Sequence, residues 1–143
     1  MTQGCLLRVQ IWRVGRSHEV SSSVPARVSW SVELEIRPDR LDDFEELTSE
    51  MVAAARAESG VLGYRRFISD DRQTVYAQEC YESSEAAAAH LRKFAASFGQ
   101  RFSAMVERKR FVVFGDPSDE LRALLGIYRA TYHRPFGSFA YWG

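Results

Sequence analysis

The chain has 143 residues, with 19 basic and 19 acidic side chains and 45% hydrophobic residues, a composition typical of one globular domain. Charged residues interrupt every apolar stretch, so no segment reaches the roughly 18 to 20 consecutive apolar residues of a membrane-spanning helix. The first 30 residues carry four Arg and one Glu, which leaves the remainder mildly acidic. This distribution argues against nucleic acid or a membrane as a partner, and we expect a soluble protein.

The cysteine content indicates the cellular compartment. The only two cysteines, Cys5 and Cys80, are far apart in the sequence. They provide neither a metal-ligand spacing nor a disulfide framework, which favours a reducing, cytoplasmic location.

Residues 1–27 differ in composition from the rest of the chain, being rich in Arg and Ser and poor in acids. The Ser-Ser-Ser-Val-Pro run at 21–25 is typical of a segment boundary. We interpret this region as a basic N-terminal extension that is flexible or forms one extra strand, since Leu7, Val9 and Ile11 alternate with polar residues. An organelle transit peptide and a true start near Val24 are alternatives.

From Val28 the pattern predicts regular structure. Trp30, Val32, Leu34 and Ile36 alternate with polar residues, the period of a strand with one apolar face. Asp39 is the expected N-cap of a first helix, which continues with apolar residues at helical spacing towards Gly60.

The middle of the chain predicts a hairpin and a second helix. Two strands, 61–69 and 74–82, are joined by the polar turn 70–72. Ser83 is the expected cap of the second helix, and Gly99 is expected to bend or interrupt it. A fourth strand, 108–114, contains a continuous apolar run, as expected for a strand covered on both faces.

Residues 117–143 are predicted to form a C-terminal helix and an aromatic tail. Pro117 and Ser118 are typical of a helix start, and the tail contains Tyr132, His133, Phe136, Phe139, Tyr141 and Trp142. We expect the tail to pack on its own or the partner subunit.

The resulting order, βαββαβ, predicts an α+β, ferredoxin-like domain over residues 28–116, with a four-stranded antiparallel sheet and both helices on one face. The other face would be bare, and a symmetric partner would cover it. We therefore expect a homodimer.

Several short motifs within 28–115 resemble the antibiotic biosynthesis monooxygenase family of dimeric α/β-barrel proteins. They are Arg37-Pro38-Asp39 with Phe44, residues 58–64 (ESGVLGY), and residues 79–83 (ECYES) followed by His90-Leu91. The resemblance implies oxygenation of a small aromatic, anthrone or quinol-like substrate by molecular oxygen, without metal or flavin cofactor. The sequence contains no nucleotide-binding glycine motif and no metal-ligand spacing among its three His residues.

The resemblance also directs attention to one histidine. His90 falls where the family places a His on the second helix, and an imidazole suits a general base. It could equally be a hydrogen-bonded residue at the helix edge.

Candidate substrate-binding residues are Tyr64, Arg66, Tyr76, Glu79, Tyr81 and His133. Tyr81 stands where many relatives have Trp. Each has a purely structural alternative: the tyrosines could simply pack, and Glu79 could form a salt bridge with Arg66 or another Arg. A non-catalytic barrel that binds an apolar ligand and a cyclase or lyase relative are the functional alternatives.

The chain has no Asn, which bears on the family chemistry. Some branches of the family, including the haem-degrading members, position substrate or oxygen with an Asn side chain. This chain cannot do so. Tyr64, Arg66 or Gln78 would have to supply the substitute hydrogen-bond donor.

Overall fold

Five strands and four α-helices form residues 27–137, the part of the chain that this computed structural model describes. In chain order they are β1 (Val28–Ile36), α1 (Leu41–Arg56), β2 (Val61–Ile68), β3 (Thr74–Tyr81), α2 (Ser84–Ser97), α3 (Gly99–Met105), β4 (Val106–Phe114), α4 (Asp119–Leu125), a 3₁₀ turn (Gly126–Tyr128) and β5 (Thr131–His133). The proposed extra strand near Leu7 and the tail residues Phe139, Tyr141 and Trp142 lie outside the described residues.

The α+β class and the βαββαβ order are confirmed, but the sheet has one strand more than predicted. Its order is β2-β3-β1-β4-β5, antiparallel except for the parallel pair β4–β5. Strand β5 pairs Thr131 with Val112 and His133 with Phe114. A three-residue strand is too short for its alternation to be recognised in sequence, so only the tertiary contact reveals it.

Within residues 27–137, one face of the sheet is covered and the other is bare. The inward residues of β1, among them Trp30 and Leu34, are buried in one core with Phe44 and Met51 of α1 and with α2. On the opposite face four large apolar side chains are 45 to 49% exposed: Leu62, Phe67, Tyr76 and Phe114.

One of the two predicted helix caps, Ser83, is confirmed, and Ser118 at the predicted start of the C-terminal helix is also an N-cap. The hydroxyl oxygens of Ser83 and Ser118 accept hydrogen bonds from the backbone N–H groups of Ala86 and Leu121, at 3.1 and 3.2 Å. The prediction for Asp39 is wrong, because this residue adopts a left-handed conformation (φ 61°) in the turn before the helix. Arg40 occupies the N-cap position instead and makes no capping side-chain hydrogen bond.

Strand β4 begins at Val106, two residues before the predicted start, and is not covered on both faces. Phe111 and Val113 are buried, whereas Phe114 is 45% exposed. A β-bulge interrupts its pairing with β1: Glu33 lies opposite Arg110 and Leu34 opposite Arg108, so that Lys109 is the extra residue. The inward positions therefore change parity within β4.

The helix predicted after Ser118 packs on its own chain. Leu121 and Leu125 of α4 are fully buried in the common core. The described part of the C-terminal segment thus completes the domain, although Phe136 is fully exposed. Between residues 27 and 137 no helix has the length and apolar character needed to cross a membrane.

Candidate functional site

A small cavity lies between the inner face of the sheet and the helices. Its volume is about 40 Å³, which is room for two or three water molecules. Apolar side chains, including Val32, Leu34, Ala77, Leu91, Phe94 and Phe111, form most of the wall. Six side chains with a polar or charged group also line it: Trp30, Arg66, Glu79, His90, Arg108 and Tyr128.

Glu79 accepts hydrogen bonds from three side chains in and around the cavity. Its Oε2 accepts hydrogen bonds from the indole Nε1 of Trp30 and the hydroxyl of Tyr81, both at 2.6 Å. Its Oε1 accepts from Nη2 of Arg66, also at 2.6 Å, and both side chains of this ion pair are about nine-tenths buried. A buried carboxylate is retained only when it is paired and hydrogen-bonded, and Glu79 satisfies both conditions.

His90 lies between two carboxylates. Its Nδ1 is 3.2 Å from Oε2 of Glu58, and its Nε2 is 3.9 Å from Oε2 of Glu79. We assign the proton of the neutral imidazole to Nδ1, since an ionised Glu58 can only accept, and this leaves Nε2 as the basic nitrogen. The ring is 5% exposed, so its orientation is fixed by packing as well as by Glu58.

A glycine allows Glu58 to reach the helix that carries His90. A Cβ atom on Gly60 would lie 2.4 Å from the Cβ of Ala86 in α2, closer than any side chain tolerates. The absence of a side chain at this position therefore lets the loop after α1 pack directly against α2.

Two tyrosines flank this acid–base group. Burial and the nearby Glu79 carboxylate raise the pKa of Tyr81 well above its ordinary value. The pKa of Tyr64 is raised by the same two causes. The Tyr64 ring lies 3.7 Å from Cζ of Arg66 and 5.4 Å, edge-on, from the His90 ring. Both phenols remain protonated at neutral pH and can act as hydrogen-bond donors.

Five of the seven predicted site residues come together in this region: Tyr64, Arg66, Glu79, Tyr81 and His90. The other two do not. Tyr76 is 45% exposed on the bare face, because it lies between the inward residues Val75 and Ala77 of β3 and side chains alternate along a strand.

His133 lies on β5, exposed beside Phe114, and the bare face also holds Gln78, the proposed substitute donor. His133 and Gln78 therefore lie apart from the cavity. No cluster of His, Cys, Asp or Glu able to hold a metal ion occurs among residues 27–137.

Three residues of the site were not predicted as such. Trp30 could have been found from the alternation of side chains along β1, since it shares the inward face of that strand with Val32. Glu58 precedes Gly60 in a loop, and its contact with His90 depends on the tertiary structure. Arg108 faces the cavity because of the β4 bulge, which has no recognisable sequence signature.

An outer pocket of about 240 Å³ lies next to the cavity and shares His90 and Phe94 with it. Tyr64, Met51 and Phe98 also line this pocket. His90 and Phe94 thus lie between the inner cavity and this larger space.

Comparisons with known proteins identify both family and fold. The family model described as antibiotic biosynthesis monooxygenase matches residues 28–108, more than half of the chain. No curated protein matches the chain significantly.

Among solved structures, MupZ from Pseudomonas fluorescens is similar with a TM-score of 0.72 at 19% identity, covering 80% of this chain and 94% of that one. A Nitrosomonas europaea protein described as a candidate antibiotic biosynthesis monooxygenase has a TM-score of 0.57 at 20% identity, covering 63% of this chain and 89% of that one. At these identities the likeness concerns the fold.

Proposed function

The chain belongs to the antibiotic biosynthesis monooxygenase family, and we propose that it is a cofactor-independent monooxygenase that oxidises a small aromatic, anthrone or quinol-like substrate with molecular oxygen. The observation that carries this proposal is the Glu58–His90 pair, in which Nδ1 of His90 contacts Glu58 while Nε2 lies on the side of Glu79, with His90 lining a mainly apolar cavity. An oriented base in an apolar site is what removal of a proton from a phenol or an activated carbon requires.

The proposed reaction begins with transfer of a substrate proton to Nε2 of His90. The substrate anion then passes one electron to oxygen, and recombination of the two radicals forms a carbon–oxygen bond. For an anthrone, the resulting peroxide anion takes the proton back from His90, and the hydroperoxide then loses water: one oxygen atom becomes the new carbonyl, and the other leaves with the two hydrogens of the oxidised carbon. The guanidinium of Arg66 is the proposed donor to the substrate oxygen, because it lines the cavity with His90 and its Nε has no hydrogen-bond partner among residues 27–137. The hydroxyl of Tyr81 donates to Glu79 and holds that carboxylate in place.

An anthrone is larger than the 40 Å³ cavity, so binding requires a change in side-chain position. Phe94 is the residue whose rotation would connect the cavity with the outer pocket. We expect substrate to occupy this joined space, with His90 at the boundary between its two parts.

The activity is tested by oxygen uptake with an anthrone and a hydroquinone panel. Replacing His90 with Gln is expected to lower kcat by a factor of about 10² to 10⁴, the usual contribution of a general base. His133→Gln is the matched control, since that imidazole is exposed on β5. Unchanged uptake in a folded His90→Gln variant would contradict the proposal.

Anaerobic incubation separates oxygenation from the alternative chemistry. A monooxygenase consumes one oxygen molecule for each substrate and stops without it. Conversion that continues without oxygen would favour a cyclase or lyase, for which the hydrogen-bonded pair Tyr81–Glu79 supplies a second acid–base group.

We also propose that the protein acts as a cytoplasmic homodimer in which the bare sheet face is the interface. Four large apolar side chains on that face, Leu62, Phe67, Tyr76 and Phe114, are nearly half exposed in the single chain, and apolar surface of this kind favours association. Phe67→Glu is expected to shift the protein from dimer to monomer in sedimentation experiments. Val52→Glu, which introduces the same charge on the outer side of α1, should leave the dimer intact. A wild-type monomer at micromolar concentration would contradict this part of the proposal.

A further inference from the structure

Arg108 has no role in the proton transfer proposed above, yet its side chain lines the same cavity as His90 and Glu79. Regular alternation along β4 from the buried Phe111 and Val113 would turn residue 109 inward. The bulge at Lys109 turns Arg108 inward instead and leaves Lys109 exposed in ion pairs with Glu35 and Glu107. The strand is thus shaped so that an arginine enters the core.

Two aromatic rings hold this guanidinium. Its Cζ lies 4.4 Å from the ring centroid of Tyr128 and 5.7 Å from that of Phe102. The Tyr128 ring in turn stacks on Phe111 with an interplanar angle of 8°. Rings can stabilise the cation through its faces but cannot accept its in-plane N–H groups, which remain available for a ligand.

Among residues 27–137 no carboxylate forms a salt bridge with Arg108, although the charge of Glu79 acts on it from the same cavity. Arg66 is paired with Glu79, whereas the partly buried side chain of Arg108 contacts the rings of Tyr128 and Phe102. The buried Nε of each arginine has no hydrogen-bond partner within these residues. Burial lowers the pKa of Arg108 from its ordinary value. A partly buried cation without a salt-bridge partner is costly, so a site that retains one is suited to bind an anion.

The position of Arg108 indicates which part of a ligand it would contact. Arg66 and Tyr64 are on β2, at one edge of the sheet, and Arg108 is on β4, three strand spacings away, or about 14 Å between backbones. Arg108 and Arg66 therefore reach the cavity from different strands, so that the group bound by Arg108 lies on the β4 side and the substrate oxygen on the β2 side.

We propose that Arg108 is a specificity-determining residue that binds a carboxylate on the substrate, on the β4 side of the cavity, whereas Arg66 on the β2 side holds the substrate oxygen. The fork of N–H groups on a guanidinium matches the two oxygens of a carboxylate. This inference rests on the proposed function for the identity of the reacting group but not for the anion site itself. The substrate class becomes an aromatic that carries a carboxylate.

The inference is tested by binding alone, with 2-naphthoate and its uncharged amide, 2-naphthamide, as probes in calorimetric titrations. The wild-type protein is expected to prefer the carboxylate, and Arg108→Gln should reduce that preference about tenfold to a hundredfold, the usual effect of a charge-assisted hydrogen bond. Binding of the amide should be almost unchanged. Because no oxygen chemistry is involved, failure of the monooxygenase proposal would not affect this result.

Arg110→Gln is the matched control, since it removes a positive charge two residues away in the same strand, from an exposed side chain. Arg108→Lys keeps the charge without the fork and should retain part of the preference, which keeps the test valid if the Gln variant fails to fold. Equal binding of the two probes by the wild type, no saturable binding of either, or equal losses in the Arg108 and Arg110 variants would each overturn the inference.

Discussion

The two faces of the sheet contain the same kinds of charged residue in different surroundings. On the inner face, Arg66 and Glu79 pair at 2.6 Å with about one-tenth of each side chain exposed. On the outer face, Lys109 lies 3.1 Å from Glu35 and 3.0 Å from Glu107, and these three side chains are 38 to 56% exposed. The distances are similar, but water screens only the outer charges.

The contribution of an ion pair to the stability of this protein therefore depends on its burial and on its number of hydrogen bonds more than on its distance. Each inner charge depends on specific neighbours, as Glu79 depends on Trp30, Tyr81 and Arg66. Removing one member leaves the others buried without a partner. Outer charges can return to water when a partner is lost.

The largest expected effect on stability comes from Glu79→Gln. The neutral amide leaves the buried Arg66 guanidinium uncompensated and cannot accept all three hydrogen bonds, so the free energy of unfolding should fall by about 3 to 5 kcal/mol. Urea-induced unfolding followed by circular dichroism measures the change.

Glu35→Gln on the outer face is the control for this measurement, because it also neutralises a carboxylate paired with a cation. Its free energy of unfolding should change by only a small fraction of the Glu79 effect. Equal losses in the two variants would mean that burial does not distinguish the two faces.

The next prediction concerns Glu58, a positioning residue for His90. Glu58→Gln keeps the size of the side chain, but an amide no longer selects the tautomer with the proton on Nδ1. We expect kcat to fall by a factor of about 10² to 10⁴ with little change in KM, as when the carboxylate that orients a catalytic histidine is replaced by its amide. Oxygen uptake across a range of pH measures it.

Glu46→Gln, an exposed change on α1, is the matched control and should have the activity of the wild type. A Glu58→Gln variant with an unaltered rate and pH profile would show that the contact with His90 is only structural.

A smaller effect is expected from the inner tyrosines at high pH. The pKa values of Tyr64 and Tyr81 are raised in the folded protein by burial and by Glu79, so above about pH 10 the unfolded chain ionises while the folded one stays neutral. Their stabilising contribution is complete below pH 10 and is lost at up to about 1.4 kcal/mol per pH unit for each residue as the pH rises. Thermal unfolding between pH 8 and 12 measures the slope.

Tyr64→Phe and Tyr81→Phe should each make that slope shallower. Tyr76 is the outer-face control: its hydrogen bond to Glu33 raises its pKa, but the ring is 45% exposed, and Tyr76→Phe should alter the slope least. The opposite order would contradict the assignment of the two faces.

Much of the fold could be predicted because the evidence for it is local. The alternation in β1, the hairpin turn and the caps Ser83 and Ser118 depend on residues close together in sequence. The prediction failed where the local structure depends on other parts of the fold. Strand β5 forms because β4 lies beside it, and Asp39 is not the N-cap because its backbone is in a left-handed turn.

In the candidate site, too, some residues could be predicted from local sequence patterns and others only from tertiary contacts. His90 and the inward residues Arg66, Glu79 and Tyr81 could be selected from residue type and from the alternation of side chains along each strand. The same alternation along β3 places Tyr76 on the opposite face. Glu58 and Arg108 could not, since one reaches His90 across the domain and the other is turned inward by a bulge.

Sequence alone is enough to predict an α+β domain with one apolar sheet face and a histidine on the second helix, and it shows that the chain has no Asn for Asn-dependent chemistry. Only the folded structure reveals which charges are buried together and which carboxylate lies near each nitrogen of His90. The physical reason is that periodicity sets which face a side chain takes, whereas pairing and desolvation depend on neighbours brought from other strands and helices.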